Sequence, residues 1–133
     1  MNYWVLKSEP TTYSFDDLMR DKRTVWDGVR NYQARNNLRA MEVGDLAIIY
    51  HSGGEKAAVG ISKIVKAAYK DPKSDEDWSA IDLAPVKPLI KAVTLAQMKA
   101  DKMLKNITLV KHSRLSVSPI TKSDFERVLY FGS

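Results

Sequence analysis

Apolar and polar residues alternate from Tyr3 to Lys7 among β-favouring types, which predicts a first strand. Ser14, with Asp17 three positions on, forms a capping-box signal for a short helix whose buried face is Phe15, Leu18 and Met19. A second helix is predicted from Asn31 to Met41, with Ala34, Leu38 and Met41 as its apolar stripe. Arg35 and Arg39 lie four apart beside that stripe. Gly44-Asp45 turns the chain into the apolar run Leu46–His51, read as a central strand. The Ser52-Gly53-Gly54-Glu55 turn then returns it antiparallel through Ala58–Val65. After a polar loop at Asp71–Asp77, Ser79–Leu89 alternates again, and Pro85 and Pro88 predict an edge or bent strand. Thr94 with Gln97 opens a helix that turns Leu95 and Met98 inward. Arg114–Ser118 is a short strand stopped by Pro119. Thr121–Asp124 caps a last helix with Phe125, Val128 and Leu129 on its core face.

Antiparallel strands separated by short capped helices, with no βαβα rhythm and no repeat or linker, predict a single α+β domain over residues 1–133. A curved sheet closing into a small barrel would gather the loops at one mouth.

The formal charge of +5 is distributed unevenly. Arg20–Arg39 holds six basic and two acidic residues, and Lys87–Arg114 holds seven basic residues and one acid. Between them, Asp71–Asp82 carries five acids and one lysine. Two basic stretches flanking an acidic loop suit a one-sided polyanion footprint or, equally, solvated faces. The chain has no cysteine, which excludes disulfides, thiolate nucleophiles and thiolate metal sites. No apolar run approaches the ~20 residues of a membrane span, and Met1–Ser8 turns polar too soon for a signal peptide. The expectation is a soluble cytoplasmic protein that binds no membrane.

Enzyme signatures are sparse. His51 and His112 have no metal-ligand spacing, and there is no phosphate-binding glycine loop, serine elbow or dinucleotide fingerprint, so neither metal nor cofactor is expected. Glu9 and Asp27 would serve as acid and base only if folding brought them together. Val25–Asn37 carries more information. It gathers a tryptophan, a tyrosine, two arginines and three asparagines around one turn and one helix start. Amides read base edges, arginines meet phosphate, and aromatic faces stack on any base. By composition Tyr32 reads as core, Trp26 as either core or wall, and Asn31 as a helix cap or an anion-facing helix start.

This stretch strongly resembles the EVE domain, a PUA-like fold related to YTH domains. The matching segments are Tyr3–Pro10, Trp26–Asn36, Tyr50-His51-Ser52 and Ser113–Val117, in family order and spanning nearly the whole chain. The resemblance implies a mixed β-pseudobarrel flanked by short helices, and modified nucleobases, cytosine derivatives in DNA especially, as ligands. Lys7-Ser8 resembles the lysine-serine pair ending the first strand of the related methyl-base readers, and Trp26 one wall of their aromatic cage. Tyr50, His51 and Ser52 would lie at the rim, and Arg114 and Ser116 on the closing strand beside the pocket. A second cage ring stays open: Trp78 lies in an acidic, loop-like neighbourhood, and Trp4 alternates under the sheet. Animal relatives carry a long basic N-terminal tail, whereas this chain opens on its first strand, so a stand-alone protein of bacterial type is expected.

The expected function is a nucleic-acid-binding reader, of DNA or RNA, that accommodates a methylated or oxidised cytosine-type base without catalysis. The base pocket would comprise Lys7, Ser8, Trp26, Asn31, Tyr32, Tyr50, His51, Ser52, Arg114 and Ser116, with Ser8, Asn31 and Ser52 as polar partners. Arg30, Arg35 and Arg39 would contact phosphates. The alternatives are a small hydrolase or nuclease using Lys7, Glu9 or His51, and a protein-interaction adaptor.

Overall fold

The computed structural model describes residues 1–133. Its elements are β1 (Tyr3–Ser8), α1 (Phe15–Asp21), β2 (Thr24–Trp26), α2 (Tyr32–Ala40), β3 (Leu46–His51), β4 (Ala57–Lys70), β5 (Ser79–Thr94), α3 (Leu95–Ala100), α4 (Thr108–Lys111), β6 (Val117–Ile120) and α5 (Lys122–Phe131). The six strands form one mixed sheet in the order β2-β5-β4-β3-β1-β6. Only the β1–β3 pair is parallel, with Val5 opposite Ile48.

Period-2 alternation gives the sheet two apolar faces, each covered by helices. Trp4, Leu6, Ala47, Ile49, Ile64, Ile81, Leu83 and Val117 pack with Phe15 and Leu18 of α1 and Ala34 and Leu38 of α2. Val5, Ile48, Tyr50, Ala58, Ile61 and Val93 pack with Met98, Leu104, Leu109, Phe125 and Val128 from the α3–α5 side. Trp4 is buried under the sheet, as its alternation predicts, and donates its indole N–H to Asp45 at 3.0 Å. Asp45 also accepts from the backbone of Asn2 and Glu42, which anchors the turn into β3.

The expected barrel does not close. No ladder joins the edge strands β2 and β6, so the sheet is open. It curls nonetheless: β2 and the end of β1, with three strands between them in the sheet, line one cavity. Other departures are local. Met19 is exposed, since a seven-residue helix buries little beyond Phe15 and Leu18. Pro119 lies inside β6 rather than ending it, because β6 is an edge strand on which a missing N–H costs nothing. Strand β5 is longer than expected and is an interior strand. Its ladder to β4 shifts register around Pro85 and Pro88, and β2 covers it only at Ile81–Leu83. Strand β2 and helix α4 span three and four residues, too short to show a period.

The capping signals hold. Ser14 and Asp17 make a reciprocal capping box, and Asn31, Thr94 and Thr121 each accept from the backbone N–H three residues on.

Gly60 sits in β4 against the Phe15 ring, and a Cβ there would clash with the Cζ, Cε1 and Cε2 atoms of that ring. Gly60→Ala should therefore destabilise the fold by about 1–3 kcal/mol in urea titration. Gly54→Ala, which meets open space, should stay within about 0.5 kcal/mol of the parent.

Candidate functional site

An open cavity of about 900 Å³ lies between the end of β1 and β2. Its walls come from Lys7, Ser8 and Glu9 at the end of β1, Thr12 and Tyr13 before α1, Arg23–Asn31 through and after β2, Lys73 in the β4–β5 loop, and Ser116 just before β6. That volume lies within the range of small-molecule sites.

Trp26, half-buried, faces this space from β2, where it pairs with Ile81. The second ring in the lining is Tyr13, which meets Trp26 edge-on at 6.4 Å and 82° and donates its hydroxyl to Asp21. The two rings form a corner rather than a parallel clamp. Tyr13 follows Pro10-Thr11-Thr12 in a loop and carries no periodic signal by which sequence could single it out. The other two tryptophans are elsewhere: Trp4 is core, and Trp78 stacks on Tyr32 at 5.1 Å and 19°, outside the lining.

Buried carboxylates hold the walls. The Asp71 side chain has no solvent exposure and accepts from the Gly28 N–H at 2.9 Å, the Arg30 guanidinium at 2.9 Å and the Lys73 N–H at 2.7 Å. Burial pushes its carboxyl pKa up, but these donors outweigh burial and hold it below the usual carboxylate value. Gly28 turns with φ +77°, a conformation that favours glycine. At the other side of the cavity, buried Asp82 accepts from Arg23 at 2.9 Å and from the Tyr69 hydroxyl. Burial first, then the Asp82 hydrogen bond, pushes the Tyr69 pKa up to about 12.

These pairs decide the cavity's charge. Arg23 and Arg30 are neutralised by Asp82 and Asp71, and Lys73 pairs with Asp27 at 3.2 Å. Lys7 is the lining cation with no carboxylate partner. Its ammonium donates to the Ser113 carbonyl at 2.8 Å and the His112 carbonyl at 3.4 Å, and burial lowers its pKa from the ordinary lysine value. Ser8 donates its hydroxyl to the Tyr13 carbonyl, and Asn31 spends its side-chain oxygen on capping α2. The Asn31 amide hydrogens and the Ser116 hydroxyl remain without protein partners.

Of the residues expected at the pocket, the fold brings Lys7, Ser8, Trp26, Asn31 and Ser116 together, with Arg30 beside them. Tyr32, Tyr50, His51, Ser52 and Arg114 are not in the lining. Tyr32, 68% exposed, stacks outward on Trp78 because it is the first residue of α2 rather than part of its apolar stripe. Tyr50 points into the core on the opposite sheet face. His51 is buried, accepting the Phe15 N–H at its Nε2 and meeting Glu55 at its Nδ1, so one ring nitrogen holds the start of α1 and the other is taken by the β3–β4 turn. Arg35 and Arg39 also lie outside, both paired with Asp77. Glu9 and Asp27 both border the cavity, and no group of three or more metal-ligating side chains gathers anywhere in the chain.

Comparison with known proteins extends this picture. The EVE domain family matches residues 2–131. The chain belongs to the EVE domain family. Human thymocyte nuclear protein 1 is 37% identical to this EVE domain over 96% of the chain and 72% of the human protein. A protein of known structure from Agrobacterium tumefaciens superposes with a TM-score of 0.96 at 36% identity, over 100% of this chain and 94% of that one. Human THYN1, whose structure was determined in complex with 5-methylcytosine-containing DNA, superposes with a TM-score of 0.91 at 36% identity, covering 100% and 98% of the two chains. The YTH domain of the Zygosaccharomyces rouxii MRB1 protein, determined in complex with N6-methyladenosine RNA, shares the fold at a TM-score of 0.62, 13% identity and coverage of 99% and 86%.

The Asp71 latch has a defined pH signature. Because its folded pKa is lowered, its stabilising contribution is complete above the unfolded value of about 4 and is lost as pH falls through the folded value. Asp71→Asn should cost ~1–3 kcal/mol at pH 7. Urea titrations repeated at falling pH should show a smaller acid loss in the variant than in the parent.

Proposed function

We propose that this EVE domain is a nucleic-acid reader that accepts one extruded, modified base against the face of Trp26 and performs no chemistry on it. A methylated or oxidised cytosine is the favoured ligand. The observation that carries this reading is the half-exposed indole on the wall of an open cavity, in a chain whose relative THYN1 was determined in complex with 5-methylcytosine-containing DNA. Lys7, with no carboxylate to satisfy it, is placed to donate to an acceptor atom of the base. The free amide of Asn31 and the hydroxyl of Ser116 supply further polar contacts.

Magnitudes limit what the cavity alone achieves. Extruding a base costs a few kcal/mol, less from a mismatch or a single strand. Stacking on one aromatic face returns ~1–3 kcal/mol, and the edge-on Tyr13 adds no second parallel face. A buried methyl adds ~0.8 kcal/mol, about a fourfold preference, so sharper selectivity requires a polar group on the base meeting a dedicated partner. Contacts to the phosphate backbone must therefore carry much of the affinity, which makes binding salt-sensitive.

A non-catalytic reading accords with how the acids are used. Asp27 is paired with Lys73, the Glu9 carboxylate rests against Gly53, and His51 is occupied beneath α1.

Titration of matched oligonucleotides, plain and carrying 5-methylcytosine, tests the assignment. Trp26→Ala should weaken binding by about 5- to 150-fold and erase the preference between the two, while Trp26→Phe should retain part of both. An alanine variant that stays folded and keeps both affinity and preference would refute the pocket. End-labelled oligonucleotide incubated with the protein should be recovered intact; any product would favour the hydrolase reading.

A further inference from the structure

We propose that Lys105, Lys111 and Arg114 form a track for the phosphate backbone that leads to the mouth of the cavity. The proposal rests on the nucleic-acid reading and assigns its electrostatic part to a surface away from the arginine-rich helix.

The arginines around the cavity are already engaged. Arg23 is held by Asp82 and Arg30 by Asp71, each at 2.9 Å, and Arg35 and Arg39 share Asp77. These four arginines share three carboxylates, so a phosphate reaching them meets far less uncompensated charge than their number suggests. The stretch from Lys87 to Arg114 is different. None of its seven cations has a carboxylate partner, and its one acid, Asp101, is held by Arg127 at 2.8 Å. Like charges left unpaired on one segment repel one another, and a polyanion relieves that repulsion while releasing its own condensed counterions.

Local packing turns these cations outward. Leu104, Ile107 and Leu109 are buried against the core under α4, which leaves Lys105 and Lys111 exposed between and beyond them. A turn closed by the Leu115 N–H on the His112 carbonyl then brings the chain to the cavity. Lys111 ends α4, the His112 and Ser113 carbonyls accept from the Lys7 ammonium, Arg114 is exposed, and Ser116 is in the cavity wall. A backbone lying along this segment would deliver its extruded base beside Lys7. The track also gives a use to the more basic of the two stretches visible in the sequence, which the cavity itself leaves unused.

The test is the salt dependence of binding to a B-form duplex carrying one 5-methylcytosine, measured by fluorescence anisotropy. K105Q/K111Q/R114Q should reduce the magnitude of the log K against log salt slope by about 2.7 and weaken plain and methylated duplexes alike, on the order of 100-fold near 0.1 M salt. K63Q/K66Q/K70Q, three exposed cations on β4, removes the same net charge elsewhere and should change the slope by less than about one. An unchanged slope in the first triple variant would overturn the proposal, as would a slope lost equally in both triple variants or lost instead in R35Q/R39Q. Failure of the wild-type protein to bind any duplex would sink the reader assignment itself. Normal binding, with the methyl preference lost in Trp26→Ala and the slope intact in the track variant, would remove only the track.

Discussion

Burying an unpaired carboxylate is costly, and Asp71 escapes that cost by accepting from three donors belonging to two separate segments. Gly28 and Arg30 come from the loop after β2, and Lys73 from the β4–β5 loop that contains Asp71 itself. The bond set holds the loop after Trp26 in a single position, and so fixes the wall of the cavity. This matters because the sheet gives no such support. Its edges, β2 and β6, approach without pairing, and a gap between unpaired edges would otherwise collapse or fray. An open sheet with a latched loop keeps the hollow that a fully hydrogen-bonded barrel would have filled.

The same economy governs charge. Each arginine in the lining is held by a buried acid, which gives it a fixed position but cancels most of its field. Lys7 escapes cancellation because its partners are carbonyls. The cavity thus combines a rigid frame of neutralised pairs with one unpaired ammonium (Lys7), one unpaired carboxylate (Glu9), a single aromatic face and a few free amide and hydroxyl groups. Such a site suits a planar, polar, largely neutral ligand better than a multiply charged one. Bulk attraction to a polyanion then belongs to surfaces outside the cavity.

Local signals in the chain were read well where the physics is local. Ser14 with Asp17, Asn31, Thr94 and Thr121 begin helices as their side chains predict, because a cap involves only residues within one turn. Leu46–His51 is an interior strand, as its apolar run requires. Met19 is exposed and Pro119 lies within β6, against expectation, because exposure and edge position depend on what packs alongside. Tyr50-His51-Ser52 shows the same limit within the site: the strand is where it was expected, but its side chains face the opposite core, the start of α1 and a turn instead of the cavity. Tyr13, Arg23 and Lys73 gave no signal, being brought in by segments far apart in the chain.

The amino-acid order alone thus determined every element but β2 and α4, the caps, the α+β class and, through the Trp26–Asn36 segment, the family. The elements, caps and class follow from periodicity and near-neighbour hydrogen bonding, which operate over a few residues, and the family from the resemblance of that segment. Tertiary structure alone decided that the sheet stays open, that Tyr13 and not Trp78 stands beside Trp26, and which cations keep their charge. Those outcomes turn on pairings such as Arg30 with Asp71 and Arg39 with Asp77, separated by 41 and 38 positions. An ion pair across such a distance leaves no mark on local pattern, because either partner alone looks like any other surface charge.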